Sequence, residues 1–295
     1  MENIQRKGRA GRSDRRRIKD LDALHVIMPY LMPGRTNNEA VLTEIIDIAA
    51  IKDYVNRKNA QNPTYKYSWF QVFTAAIAKT IYLRPKLNWF ISGRKFYERR
   101  DIESSFVVKR AFDDHSEESI AKWVLDPDGG APIEQMHDFL EKFVNKVRVN
   151  KEIDHSSQTM NVFKYIPGFL LEVVFWVIKL MDRWGIYPKG FQQDDPCYST
   201  VFISNLGSIK MSADYHHIFN WGTISFFVVI NEMKKRLIVN EDGSTEVKDT
   251  IKIALTIDER IADGFYFAKS VKILKHLLLN PDLLDKDVKE PVELN

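Results

Sequence analysis

The chain has 295 residues, 44% of them hydrophobic and 28% charged, a balance that allows a sizeable buried core and excludes a disordered chain. A net charge of +3 is too small to make the whole surface a nucleic-acid binder, and one cysteine, Cys197, excludes an internal disulfide. The N-terminal charges precede no apolar run suited to a signal peptide, so a globular protein of a reducing cytoplasm is expected.

In chain order, residues 1–14 read as a basic, partly disordered arm ahead of a single domain over 15–295. The first 17 residues hold seven Arg or Lys against two acids. A solvated terminus is the simple reading; contact with phosphate or anionic lipid is the functional one, and no RNA-binding signature supports a nucleic-acid partner. Residues 40–48 are rich in strand formers, and 68–83 keep helical periodicity behind Ser68 as N-cap, with Pro85 as the stop. Alternation over 88–112 predicts a hairpin, with Gly93 in its turn, and a following strand. The segments 117–127 and 131–149 read as helical, separated by the turn signal Asp-Pro-Asp-Gly-Gly.

The most apolar stretch, Ile166 to Tyr187, is interrupted by Glu172, Lys179, Asp182 and Arg183, whereas a membrane span needs about 20 nearly uninterrupted apolar residues. Its Phe169 to Leu180 part is expected to pack against protein, as a buried core helix or an oligomer contact. Lining for an apolar substrate and a membrane-surface patch are the alternatives. Strands then follow at 197–208, 223–239 and 247–259, the last two joined by the turn Asn-Glu-Asp-Gly-Ser, and an amphipathic helix ends before Pro281. Strands and helices mix without strict βαβ alternation, which predicts the α+β class.

Metal binding has little support: His216 and His217 are adjacent, so on a strand they point to opposite faces, and Cys197 lacks a partner. Phosphate-cradling glycine loops and a serine-hydrolase elbow are absent. Three separated strings carry the chemistry instead: Arg-Pro-Lys-Leu-Asn-Trp-Phe at 84–90, Phe-Ile-Ser-Asn-Leu-Gly-Ser at 202–208, and Asp-Glu-Arg-Ile-Ala-Asp-Gly at 258–264. In order, spacing and setting, and with Arg-Arg-Arg-Ile at 15–18, they resemble the catalytic domain of the 2-oxo acid dehydrogenase dihydrolipoyl acyltransferases and, more distantly, chloramphenicol acetyltransferase.

The resemblance implies a chloramphenicol acetyltransferase-like fold, a mixed β-sheet flanked by helices, assembled as a homotrimer with active sites between subunits. It implies transfer of an acyl group from a thioester, with coenzyme A as the acyl-CoA substrate, no metal, and a thiol or hydroxyl acceptor. Carried onto this chain, Ser204 is the hydrogen-bond donor to the tetrahedral oxyanion, and Asn205 and Gly207 shape its turn. Asp263, before Gly264, is expected to orient the last turn by pairing with Arg16 or Arg17. The sequence departs from the pattern at the base: Glu259 stands where the family places a histidine. A carboxylate has a reference pKa near 4.3 against about 6.5 for imidazole, so it serves as a base toward a thiol only when burial raises it. His217, followed by Trp221-Gly222, is a distorted echo of the histidine motif. A catalytically silent relative that binds an acyl or CoA ligand, or serves as an assembly scaffold, is the reading from another class.

Overall fold

The computed structural model describes residues 15–109, 118–146, 165–184, 195–240 and 242–294, so the basic arm lies outside the described residues. The chain runs β1 (Arg15–Arg17), α1 (Ala23–Leu31), β2 (Glu39–Asp47), α2 (Ala49–Asn59), α3 (Trp69–Leu83), β3 (Trp89–Ser92), β4 (Lys95–Arg99), β5 (Ile102–Lys109) and β6 (Glu118–Leu125). Then come α4 (Pro132–Val144), α5 (Gly168–Trp184), β7 (Val201–Asn205), β8 (Phe226–Val239), β9 (Thr245–Asp258) and α6 (Gly264–Leu279). Six strands form a mixed sheet in the order β2-β9-β8-β7-β5-β6, and β1-β4-β3 form a smaller one. β7 pairs in parallel with both β5 and β8, while the other neighbours in the large sheet are antiparallel.

Strand periodicity divides the central side chains between two faces. Val201, Ile203, Val228, Ile230, Ile253 and Leu255 join the core under α2, α3, α4 and α6, whereas Phe202, Phe227, Val229 and Ala254 form a second cluster with Ile218 and Ile224. A loop between β7 and β8 therefore covers the face that the helices leave open. At two points the local chemistry sets this geometry. Gln71 accepts from the Ser68 backbone N–H at 3.0 Å, closing the start of α3 as the sequence predicts. Gly222 has φ +74°, and a Cβ there would stand 2.1 Å from the Cys197 carbonyl oxygen, so the loop can pass only with glycine.

Two expectations are corrected. Residues 118–125 form the edge strand β6, not a helix: Ser119, Ala121, Trp123 and Leu125 alternate inward as β6 pairs along β5. The two-residue burial period and the partner strand override a local helical reading. Nor is α5 a core helix within the chain, since none of its residues is buried, and Phe169 and Trp176 are 70% and 64% exposed. It is anchored at its end, where Asp182 accepts from Arg15 at 3.3 Å and from Ser92 Oγ at 3.2 Å. Among the described residues no helix is long and apolar enough to cross a membrane.

The loop geometry makes a direct comparison possible. Gly222→Ala should lower the melting temperature far more than Gly243→Ala, because both have positive φ but Gly243 has nothing within 4 Å of an added Cβ. Equal losses in thermal unfolding would show that backbone strain, not the approach to Cys197, governs this loop.

Candidate active site

β9 ends at Asp258, which caps a single 3₁₀ turn over Glu259–Ile261; Asp258 and Arg260 are buried and Glu259 between them is exposed. Asp258 and Arg260 side chains are 0% and 2% exposed. The carboxylate accepts from Arg260 Nε at 2.8 Å and Nη2 at 2.7 Å, and the second terminal nitrogen donates to the Met32 carbonyl at 2.7 Å. This bidentate pair holds the turn to the end of α1 and leaves residue 259 facing outward. The Glu259 backbone N–H donates to the Asn38 carbonyl at 2.9 Å.

A second buried guanidinium braces the loop between β7 and β8. Arg35 donates to the carbonyls of Phe219 at 2.8 Å and Gly222 at 2.9 Å, and burial pushes its pKa down against the pull of Asp258. Arg99, also buried, donates to the carbonyls of Tyr198 at 3.1 Å and Thr223 at 2.8 Å and lies 4.4 Å from the Phe90 ring centre. Glu39 accepts from the Ile218 backbone N–H at 2.6 Å and from the Tyr215 hydroxyl. These contacts position the two histidines. His216 stacks on Phe227 with ring centres 4.0 Å apart, and its Nδ1 lies 3.0 Å from the His217 carbonyl. A carbonyl only accepts, so Nδ1 carries the proton and Nε2 of the neutral ring is bare.

Ser204 lies near the C-terminal end of β7, where the strand gives way to a 3₁₀ turn over Leu206–Ile209. A Cβ on Gly207 would come 2.9 Å from the Asn231 carbonyl oxygen, so the turn packs against β8 only with glycine there. Ser204, Asn205 and His216 line a cavity of about 440 Å³ whose other walls are mostly apolar. Ser204 is in register with Val229, and Val229 with Ala254, five residues before Glu259. At strand dimensions that separates Ser204 and Glu259 by about 17 Å along the sheet and about 10 Å across it. The single chain does not bring them together.

The pairing expected of Asp263 is corrected. It is an exposed N-cap of α6, accepting from the Tyr266 backbone N–H at 2.8 Å, and that bond holds its carboxyl below the usual carboxylate range. Arg16 pairs instead with Glu98, and Arg17 stands exposed opposite Tyr97 on β4. Gly264 opens the helix, as a residue after an Asp cap can. The sequence reading missed the buried arginines Arg35, Arg99 and Arg260. The only signal was the Asp-x-Arg spacing around Glu259, which places two opposite charges on one side of a tight turn. Burial, with Asp195 beside it, pushes the Cys197 thiol up to about 12, which disfavours the thiolate at neutral pH. No group of three or more metal-binding side chains occurs among the described residues.

A mixed sheet backed by helices on one face, with a serine-bearing parallel strand at its centre, is the chloramphenicol acetyltransferase-like fold. Residues 189–285, which hold β7, β8, β9 and α6, match the family model of the 2-oxoacid dehydrogenases acyltransferase catalytic domain. The structure is similar to that of a probable dihydrolipoamide acetyltransferase from Listeria monocytogenes, at a TM-score of 0.56 and 17% identity over 95% of this chain and 99% of that one. A dihydrolipoamide acetyltransferase from Azotobacter vinelandii, in which a serine, a histidine and an asparagine have been studied for their role in catalysis, gives a TM-score of 0.58 at 13% identity, covering 90% and 93%. A chloramphenicol acetyltransferase gives a TM-score of 0.50 at 12% identity, covering 84% and 92%. No curated protein matches the sequence.

Substitutions at two positions separate the roles of these carboxylates. Asp258→Asn should cost about 3–5 kcal/mol in denaturant unfolding, because it strands Arg260 in the interior; a loss below about 1 kcal/mol would show that water replaces the carboxylate. Asp263→Ala should lower the melting temperature while Asp263→Asn retains it, since asparagine also caps. The folded pKa of Asp263 is depressed, so its contribution is present above the ordinary carboxylate pKa of about 3.9 and is lost as pH falls through the folded value. The gap between parent and Asp263→Ala should therefore close in acid.

Proposed function

We propose that the protein is an acyltransferase that moves an acyl group from an acyl-CoA thioester to a thiol or hydroxyl acceptor, at a site shared between neighbouring copies of a homotrimer. The observation that carries this reading is Ser204: its strand ends at an apolar cavity, in a fold shared with acetyltransferases and a segment matched by their catalytic-domain model. The acceptor's oxygen or sulfur attacks the thioester carbonyl, and the Ser204 hydroxyl donates to the oxyanion that forms. The acceptor's proton passes to Glu259 of a neighbouring copy. The tetrahedral intermediate then collapses, the carbon–sulfur bond breaks, and the proton returns to the departing coenzyme A thiolate.

Two features favour sharing between copies. Ser204 and Glu259 lie at the C-terminal ends of strands that run in opposite directions, so one chain does not supply both to one carbonyl. An uncovered apolar surface is also available, with Trp176 and Trp184 on α5 and Ile27 and Leu31 on α1 exposed. Packing against a neighbour would take Glu259 out of water and raise the basicity of its carboxylate. A reducing cytoplasm fits the free Cys197. The second reading, a silent homologue that binds an acyl-CoA or scaffolds an assembly, is favoured by one observation: within the chain Glu259 is exposed.

Coenzyme A release from a panel of acyl-CoAs, measured with candidate thiol acceptors, tests the proposal. Ser204→Ala and Glu259→Gln should each lower turnover about 100-fold or more, with sedimentation giving the mass of a trimer that Trp176→Glu dissociates. Parent turnover at background, unmoved by Glu259→Gln but raised by Glu259→His, supports the silent reading. Substantial parent turnover that Glu259→Gln leaves unchanged removes Glu259 as the base.

A further inference from the structure

The cavity beside Ser204 lies at the C-terminal end of β7, where the chain leaves the strand after Asn205 for the 3₁₀ turn over Leu206–Ile209. Aromatic rings wall that space from both faces of the sheet. Phe70 and Phe106 meet edge to face at 5.0 Å on the helix side, and Phe202 and Phe227 stack at 5.2 Å on the other. Leu140 and Val144 of α4 complete the wall. No Asp, Glu, Lys or Arg occurs among the described residues lining it; its polar members are hydroxyls, the Asn205 amide and the His216 imidazole.

We infer that this cavity is an acyl-chain pocket, and that the protein prefers thioesters of apolar chains several methylenes long over acetyl, and over acyl groups ending in a carboxylate. The inference rests on reading Ser204 as the residue that faces the thioester carbonyl. The volume of about 440 Å³ falls in the range of small-molecule sites. An acetyl group would leave most of it empty, and an apolar cavity left empty forfeits contacts with its lining. A chain of several methylenes laid against these rings exchanges water for close-packed carbon. A terminal carboxylate would be desolvated with no cation among the described lining residues to pair with it. The phosphates of coenzyme A are excluded for the same reason and lie outside the cavity, with the thioester at Ser204 as the junction.

The test is calorimetric binding of coenzyme A, acetyl-, butyryl-, hexanoyl-, octanoyl- and succinyl-CoA to the full chain, which needs no turnover. Affinity should rise about fourfold per methylene from acetyl to octanoyl, the equivalent of about 0.8 kcal/mol for each CH₂ buried. Succinyl-CoA should bind no more tightly than acetyl-CoA. Val144→Trp, which fills the cavity from α4, should flatten the series; Val108→Phe fills it from β5 and serves where the first variant loses its fold. Equal affinity across the series, the same slope in a filled variant, or no thioester binding overturns the pocket. A chain-length slope without coenzyme A release leaves the pocket standing and overturns the acyl-transfer reading alone.

Discussion

The buried pair between Asp258 and Arg260 is the constraint on which the arrangement at the end of β9 depends. Two charges taken out of water are repaid only when nearly every donor and acceptor finds a partner. Here the carboxylate takes two nitrogens of the guanidinium, and a third donates to the Met32 carbonyl. Because the partners are two residues apart, the pair also fixes a turn that can point only residue 259 outward. Arg35, held in the same buried region by carbonyls of the loop between β7 and β8, extends that rigidity to the histidines and to the cover over Phe202 and Phe227. Rigid support of this kind is what a site on two element ends requires, since neither a turn nor a strand terminus holds a side chain firmly by itself.

The same architecture separates the two residues of the proposed site. β7 runs parallel to β8 and β9 runs antiparallel to it, so the C-terminal ends of β7 and β9 point in opposite directions along the sheet. In the proposed reaction a serine on one and a carboxylate on the other therefore come from two copies. The end of β7 adds a complementary feature: the cavity there is lined mostly by apolar side chains and lies adjacent to the serine.

Much of this was legible in the sequence where local chemistry and tertiary role coincide. The cap at Ser68, the turn at Gly93 and the three motif strings carry their own geometric reasons, and each lies in the expected setting. Legibility failed where a distant partner decides the outcome. The segment with Trp123 became a strand because β5 offers an edge to pair with. Asp263 was assigned an arginine because a buried carboxylate needs one, but it is exposed, and the first turn of α6 satisfies it. The helix with Trp176 reads as interior because its residues are apolar; within one chain it is surface. Arg35 and Arg99 gave no signal, since a lone arginine binding carbonyls has no spacing to recognise.

The claim that Ser204 and Glu259 act on one carbonyl from two different copies is tested most directly by subunit mixing. Ser204→Ala and Glu259→Gln proteins, each impaired alone, are unfolded together and reassembled at equal amounts. Shared sites predict recovery of roughly a quarter of parental coenzyme A release, the fraction of random interfaces in a cyclic trimer that pair an intact serine with an intact carboxylate. No recovery in a mixture shown to contain mixed trimers would contradict the account.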